Sequence, residues 1–135
     1  MDLYYPFLSG IKNNKEEFPE LLENDYGKGG GVKCVAEEPW VTIAESSECV
    51  ISALIQDNEN IAKKIFHDIQ QFQNKDGIFP TGYQYDMEIF WPEENSTWTN
   101  AAVIIAAHAL SFCDLDCNKS SVHIFLELRN LFKSI

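Results

Sequence analysis

DGIFPTGYQYDMEIFWPEENSTWTNAAVIIAAHAL, residues 76–110, is the stretch on which the reading of this chain turns. Its first part is a loop of roughly twenty residues, rich in rings and carboxylates, and loops of that length in a small domain usually carry function. Its second part, from Thr97 to about Phe112 with Asn95 or Ser96 as cap, is apolar on every side in AAVIIAAHAL. That pattern predicts a central helix enclosed by other helices, with alanines that favour the helix and allow close approach.

Upstream, the apolar spacing also reads as helix. In DLYYPFLSGIK, residues 2–12, Leu3, Phe7, Leu8 and Ile11 share one face and Pro6 fits a first turn. Asn14 with Glu17 resembles a second helix start, Phe18, Leu21 and Leu22 form its apolar patch, and Asp25-Tyr26-Gly27 ends it. GKGGG at 27–31 reads as a flexible turn and not a phosphate loop, since no Ser or Thr follows the lysine and no strand is expected before it. Thr42 and Glu45 have capping-box spacing ahead of Ile43, Val50, Ile51 and Leu54, among which Ser46, Ser47 and Glu48 supply polar positions. Asp57 or Asn58 caps the next helix, whose stripe of Ile61, Ala62, Ile65, Ile69 and Phe72 stops at Asn74 to Gly77. A last, peripheral helix is expected over 119–134.

Composition narrows the function. The 135 residues fit one domain, and 45% hydrophobic content is ample for a core. A net charge of −11 repels nucleic-acid phosphates and anionic lipid surfaces, so neither is an expected partner. The N-terminus lacks the pattern of a signal peptide, and the apolar run 101–113 is too short and polar to span a bilayer, which predicts a cytoplasmic protein without membrane insertion. Cys34, Cys49, Cys113 and Cys117 are then free thiols. Cys113 and Cys117 with His108 and His123 are the one set near metal-ligand spacing, but 114–118 reads as a loop without a CxxC pair, so no metal is expected.

Sliding the chain on itself by 56 positions aligns VTIAESSECVISAL, 41–54, with TWTNAAVIIAAHAL, 97–110. The implied unit is a helical hairpin, repeated over 1–56 and 57–112, which buries its apolar face only by stacking. The expected class is therefore all-α. YYPFLSGI, GVKCVAEEPWVTIAESSECVISAL and the 76–110 stretch, with WPEE…TWT as the most specific block, resemble the C-terminal half of bacterial prenyltransferase-like or squalene-cyclase-repeat proteins. That resemblance implies a partial α/α toroid of about three hairpins, with 43–56 and 97–112 as inner helices and 60–73 among the outer ones. It also implies an isoprenoid-like or other small apolar ligand, and a homodimer or a separate chain that completes the ring. The DxDD motif of the cyclases and the zinc pattern of the protein prenyltransferases are absent, and no cofactor is implied.

The candidate site lies in the loop and on the inner helices. Asp86 and Glu94 are the candidate catalytic carboxylates, within a set that also holds Glu88 and Glu93. Trp40, Tyr83, Tyr85, Trp91, Trp98 and His108 are the candidate substrate-binding residues. Rings beside acids suit carbocation stabilisation by ring quadrupoles. They equally suit sugar stacking with paired carboxylates as acid and base or nucleophile. A non-catalytic subunit that only completes a ring is the third reading. Each residue also has a purely structural use: Trp91 and Trp98 as core plugs, Glu94 as a helix-dipole partner, His108 as a core histidine.

Overall fold

The computed structural model describes residues 3–113. The chain runs α1 (Tyr5–Leu8), α2 (Glu17–Asp25), β1 (Val32–Lys33), β2 (Trp40–Thr42), α3 (Ile43–Ile55), α4 (Glu59–Ile69), a 3-10 turn (Gln70–Phe72), β3 (Gly82–Gln84), β4 (Ile89–Phe90) and α5 (Thr97–Cys113). The four strands form one antiparallel sheet in the order β1-β2-β3-β4. This corrects the all-α expectation, and with it the toroid built only of hairpins. The strands hold two or three residues each, too few for an alternating pattern to stand out, and their pairing joins segments far apart in sequence. The helix expected over 119–134, and Cys117 of the cysteine pair, lie outside the described residues.

The enclosed helix is α3 and not α5. Eleven of its thirteen residues are buried, and it packs against α1, α4, α5 and β1. Its small side chains, Ala44, Ser46, Ser47, Ser52 and Ala53, let those neighbours approach. The serines are buried without leaving their hydroxyls bare. Ser47 Oγ donates to the Ile43 carbonyl (2.8 Å) and Ser52 Oγ to the Tyr4 carbonyl (3.4 Å). Ser46 Oγ donates to the Thr42 carbonyl (2.6 Å) and accepts from the Val32 N–H (2.8 Å), so one hydroxyl joins α3 to β1. Thr42 makes no side-chain cap to α3, and the expected capping box is not formed. The first amide of α3, from Ile43, donates instead to the Thr81 carbonyl (3.1 Å).

By contrast, α5 buries Ala102, Val103, Ala106, Ala109 and Leu110 and leaves Trp98, Ala101, Ile104, Ile105 and His108 exposed. A helix without charge but with one open side reads as fully buried from sequence, because composition does not say which faces find neighbours.

Two apolar clusters result. The first joins α1, α2, α3, α4 and α5 around Phe7, Phe18, Val50, Leu54 and Ile65. Phe7 and Phe18 meet edge to face at 5.2 Å. The hydroxyls of Tyr4 and Tyr5 both donate to Glu48 Oε2 at 3.0 Å and fasten α1 to α3. Burial, then the Glu48 charge, pushes the Tyr4 phenol up. Cys49 lies inside the same cluster, and burial pushes its thiol up. The second cluster, Val41, Ile43, Ile69, Phe72, Phe79 and Val103, lies under the sheet.

At the turn between α3 and α4, Asp57 takes φ 54°, the left-handed conformation that usually closes a helix on glycine. Asn14 Oδ1 accepts from the amides of Glu16 (3.2 Å) and Glu17 (3.3 Å) and opens α2 as its spacing suggests. The two serines of α3 give a test of this packing. Ser46→Ala removes the side-chain bridge from α3 to the Val32 amide, an expected loss of about 1–1.5 kcal/mol. Ser47→Ala removes a bond to a carbonyl already used within the helix, and a loss below about 1 kcal/mol is expected. Urea unfolding of the two variants checks the contrast.

Candidate functional site

The candidate site is built on the sheet's end. The register sets Val41, Tyr83 and Phe90 side by side on one face, and Trp40, Gln84 and Ile89 in the neighbouring row on the other. The first row rests on Phe72, which closes the 3-10 turn after α4. Phe72 lies 5.3 Å from Tyr83, 6.4 Å from Tyr85 and 6.5 Å from Phe90, and Tyr83 lies 5.1 Å from both Tyr85 and Phe90. Most of these contacts are tilted or edge to face, the arrangement that ring quadrupoles favour.

Tyr85 ties this cluster to the glycine turn. Its hydroxyl donates to the Gly30 carbonyl (2.6 Å), and its ring fills the space a Cβ at Gly29 would need. Gln71 Nε2 donates to the Gly29 carbonyl (2.6 Å), and the turn closes on itself through Gly27 N to Gly31 O (2.8 Å). GKGGG is thus a turn tied by these bonds to Gln71 and Tyr85. Gly27 and Gly29 leave room for the Tyr85 ring, and Gly30 and Gly31 take φ of 106° and 84°. Behind them, Asp68 accepts from Tyr26 (2.7 Å) and Lys64 (2.6 Å). Burial alone would raise the Asp68 pKa, but the hydrogen bonds from Lys64 and Tyr26 outweigh it and hold the carboxyl below its usual range.

The loop before β3 is equally organised. Asn74 Oδ1 accepts from the amides of Asp76 (3.0 Å) and Ile78 (2.9 Å), an Asx turn. From the first turn of α5, the Asn100 carboxamide accepts from the Phe79 N–H (2.9 Å) and donates to the Phe79 carbonyl (3.0 Å), standing in for a strand neighbour. After β4, the Trp91 amide donates to the Gly82 carbonyl (3.1 Å), and Thr81 Oγ1 donates to Glu94 Oε1 (3.3 Å).

Between these parts lies an open groove of about 340 Å³. Phe72, Phe90, Pro80 and Pro92 give it apolar walls. Gln71, Gln73, Asn74 and Asn95 bring amides, and Glu93 and Glu94 bring carboxylates. Among the described residues no three His, Cys, Asp or Glu side chains are grouped to hold a metal ion, and no helix is long and apolar enough to cross a membrane.

Of the residues singled out from sequence, Glu94 lines this groove. Tyr83 and Tyr85 stand behind its Phe72 and Phe90 walls. Asp86 sits exposed in the β3–β4 turn, outside the lining, so the two candidate carboxylates are not brought into one pocket. Trp40 is half-buried on the sheet's other face, and its Nε1 has no partner among the described residues. Trp91 and Trp98 are exposed at 55% and 69%, which rules out a core-plug role for either. His108 is exposed on α5, outside the groove lining. The sequence reading missed Phe72 and the amides around it. The run QQFQN at 70–74, a ring set among amides at a helix end, was the available signal.

No family model matches the chain. Over 114 residues, 82% of this chain, it is 37% identical to an MMP endo-(1,4)-3-O-methyl-alpha-D-mannosidase of Mycolicibacterium hassiacum, and it spans 32% of that relative's length. A mannosidase relative overturns the prenyltransferase and terpene-cyclase resemblance, and with it the isoprenoid ligand. Aromatic, alanine-rich helix pairs are common to many helical enzymes, and the block WPEE…TWT carries no cyclase chemistry of its own.

The Tyr85 platform yields a pH test. Burial, then the neighbouring Tyr83, pushes the Tyr85 phenol from about 10 up to about 12. The neutral form is favoured by folding, so its contribution is whole below pH 10 and is lost as pH climbs from 10 to 12. Tyr85→Phe is expected to cost about 0.5–1.5 kcal/mol at pH 7. Its stability should fall less steeply than that of the natural chain across that alkaline window, as read by denaturant midpoints at fixed pH steps.

Proposed function

We propose that this chain is a carbohydrate-recognising part of a glycoside hydrolase acting on α-1,4-linked mannosides. The observation that carries the reading is the groove, in which the Phe72 and Phe90 rings stand beside Glu93, Glu94 and a set of amides. A sugar ring offers one apolar C–H face and a rim of hydroxyls, and such walls match both. The mannosidase relative supports the substrate class. The groove's own charge is acidic, which suits a neutral sugar better than a phosphorylated one.

Glycoside hydrolysis requires one carboxyl group that protonates the departing oxygen and a second that activates water or attacks the sugar. We assign the acid role to Glu94, because it lines the groove and the Thr81 hydroxyl orients one of its oxygens. Asp86 and Glu93 compete for the second role. Glu93 shares the groove, whereas Asp86 is exposed outside its lining. The span of 32% of the relative favours a second reading, in which the chain binds the glycan without cleaving it.

Incubation with 3-O-methylated α-1,4-mannooligosaccharides separates these. A bound ligand is expected to raise the melting temperature with its concentration. In the catalytic case new reducing ends appear, and Glu94→Gln lowers their rate by roughly 100-fold or more while binding persists. Of Glu93→Gln and Asp86→Asn, the one with the comparable loss identifies the second carboxylate. Binding without cleavage supports the second reading, and the absence of any melting shift overturns both.

A further inference from the structure

The groove is small for an enclosed ligand, and the surface around it continues in a pattern of its own. Residues Pro92–Asn95, its lip, are bracketed in the chain by Trp91 and Trp98, whose indoles are 55% and 69% exposed. Phe90, itself a wall of the groove, is 46% exposed. Exposed tryptophans cost solvation free energy and are typically retained where a ligand covers them.

We infer that the groove is the middle of a longer path for a glycan chain, with Trp91 and Trp98 as stacking platforms on either side of its lip. The ligand is then an oligosaccharide of several units, not a single sugar; this rests on the carbohydrate reading above. Along 90–98, rings stand at the two ends, Phe90 and Trp91 before and Trp98 after, and Glu93, Glu94 and Asn95 between the indoles are themselves exposed. A sugar chain, whose apolar faces and hydroxyls alternate, fits that order. A protein interface would instead be depleted of carboxylates at its centre. The chain's charge of −11 further favours a neutral polymer. Ile104 and Ile105 extend the exposed side of α5 past Trp98, so a second copy of the chain is the competing occupant, and the test includes it.

The full chain is titrated with 3-O-methylated α-1,4-mannooligosaccharides of two, four and eight units, and the intrinsic fluorescence of its three tryptophans is followed. Affinity is expected to rise with length and the emission to shift. Trp91→Ala and Trp98→Ala should each weaken the longest ligand on the order of tenfold and leave the shortest unchanged. Trp98→Phe, which keeps a ring, should recover most of the loss, a result that a general folding defect would not give. Affinity independent of length, or alanine variants that bind as the natural chain does, overturns the path while leaving the groove reading intact. No binding at any length removes both. Sedimentation showing a dimer whose tryptophans are shielded from acrylamide assigns the rings to a second copy and also overturns it.

Discussion

Strand β2 passes into α3 without an intervening residue, from Thr42 to Ile43, and the rest of the fold depends on how that junction is satisfied. A helix start exposes amides that need partners, and here solvent is excluded, since Val41 to Ala44 are all buried. The partners come from two separate places. The Thr81 carbonyl takes the Ile43 amide, and Ser46 turns back to take the Val32 amide while giving its proton to Thr42. One short segment therefore anchors the helix layer, the first strand and the lead-in to β3 together. Any shift of α3 along its axis would break all of these bonds at once, which fixes the sheet relative to the helices.

That anchoring decides where the groove lies. Thr81 joins α3 through its carbonyl and meets Glu94 through its hydroxyl, so the lip of the groove is held by the residue that takes the first amide of the central helix. Phe72 links the end of α4 to the same sheet row, and Asn100 links α5 to Phe79. Three helices thus position a site that none of them lines along its length. The groups that line the groove come from the connections, while the helices supply the rigidity.

Much of the helical scaffold was legible in the sequence. The starts near Asn14 and Thr42 and the stripe from Ile61 to Phe72 follow from spacing. The sheet was not legible, because strands of two or three residues depend on partners distant in the chain. Nor was the choice of enclosed helix. AAVIIAAHAL is more apolar than IAESSECVISALI, yet the latter is the buried one, and its serines place their hydroxyls on backbone carbonyls of Thr42, Ile43 and Tyr4. Within the site, Glu94 and the rings were visible as residue types. The separation of the Phe72 ring cluster from the sheet's other face follows from register, and a single reversal of facing along β2 separates Trp40 from Tyr83.

The Tyr85 ring occupies volume that side chains at positions 27 and 29 would otherwise claim. Aromatic residue and glycines therefore share one volume, although they are distant in the chain. A side chain at either glycine would have to displace the ring, and with it the footing of Phe72 and the hairpin. A mutational map of the chain would record the two regions as a single coupled locus.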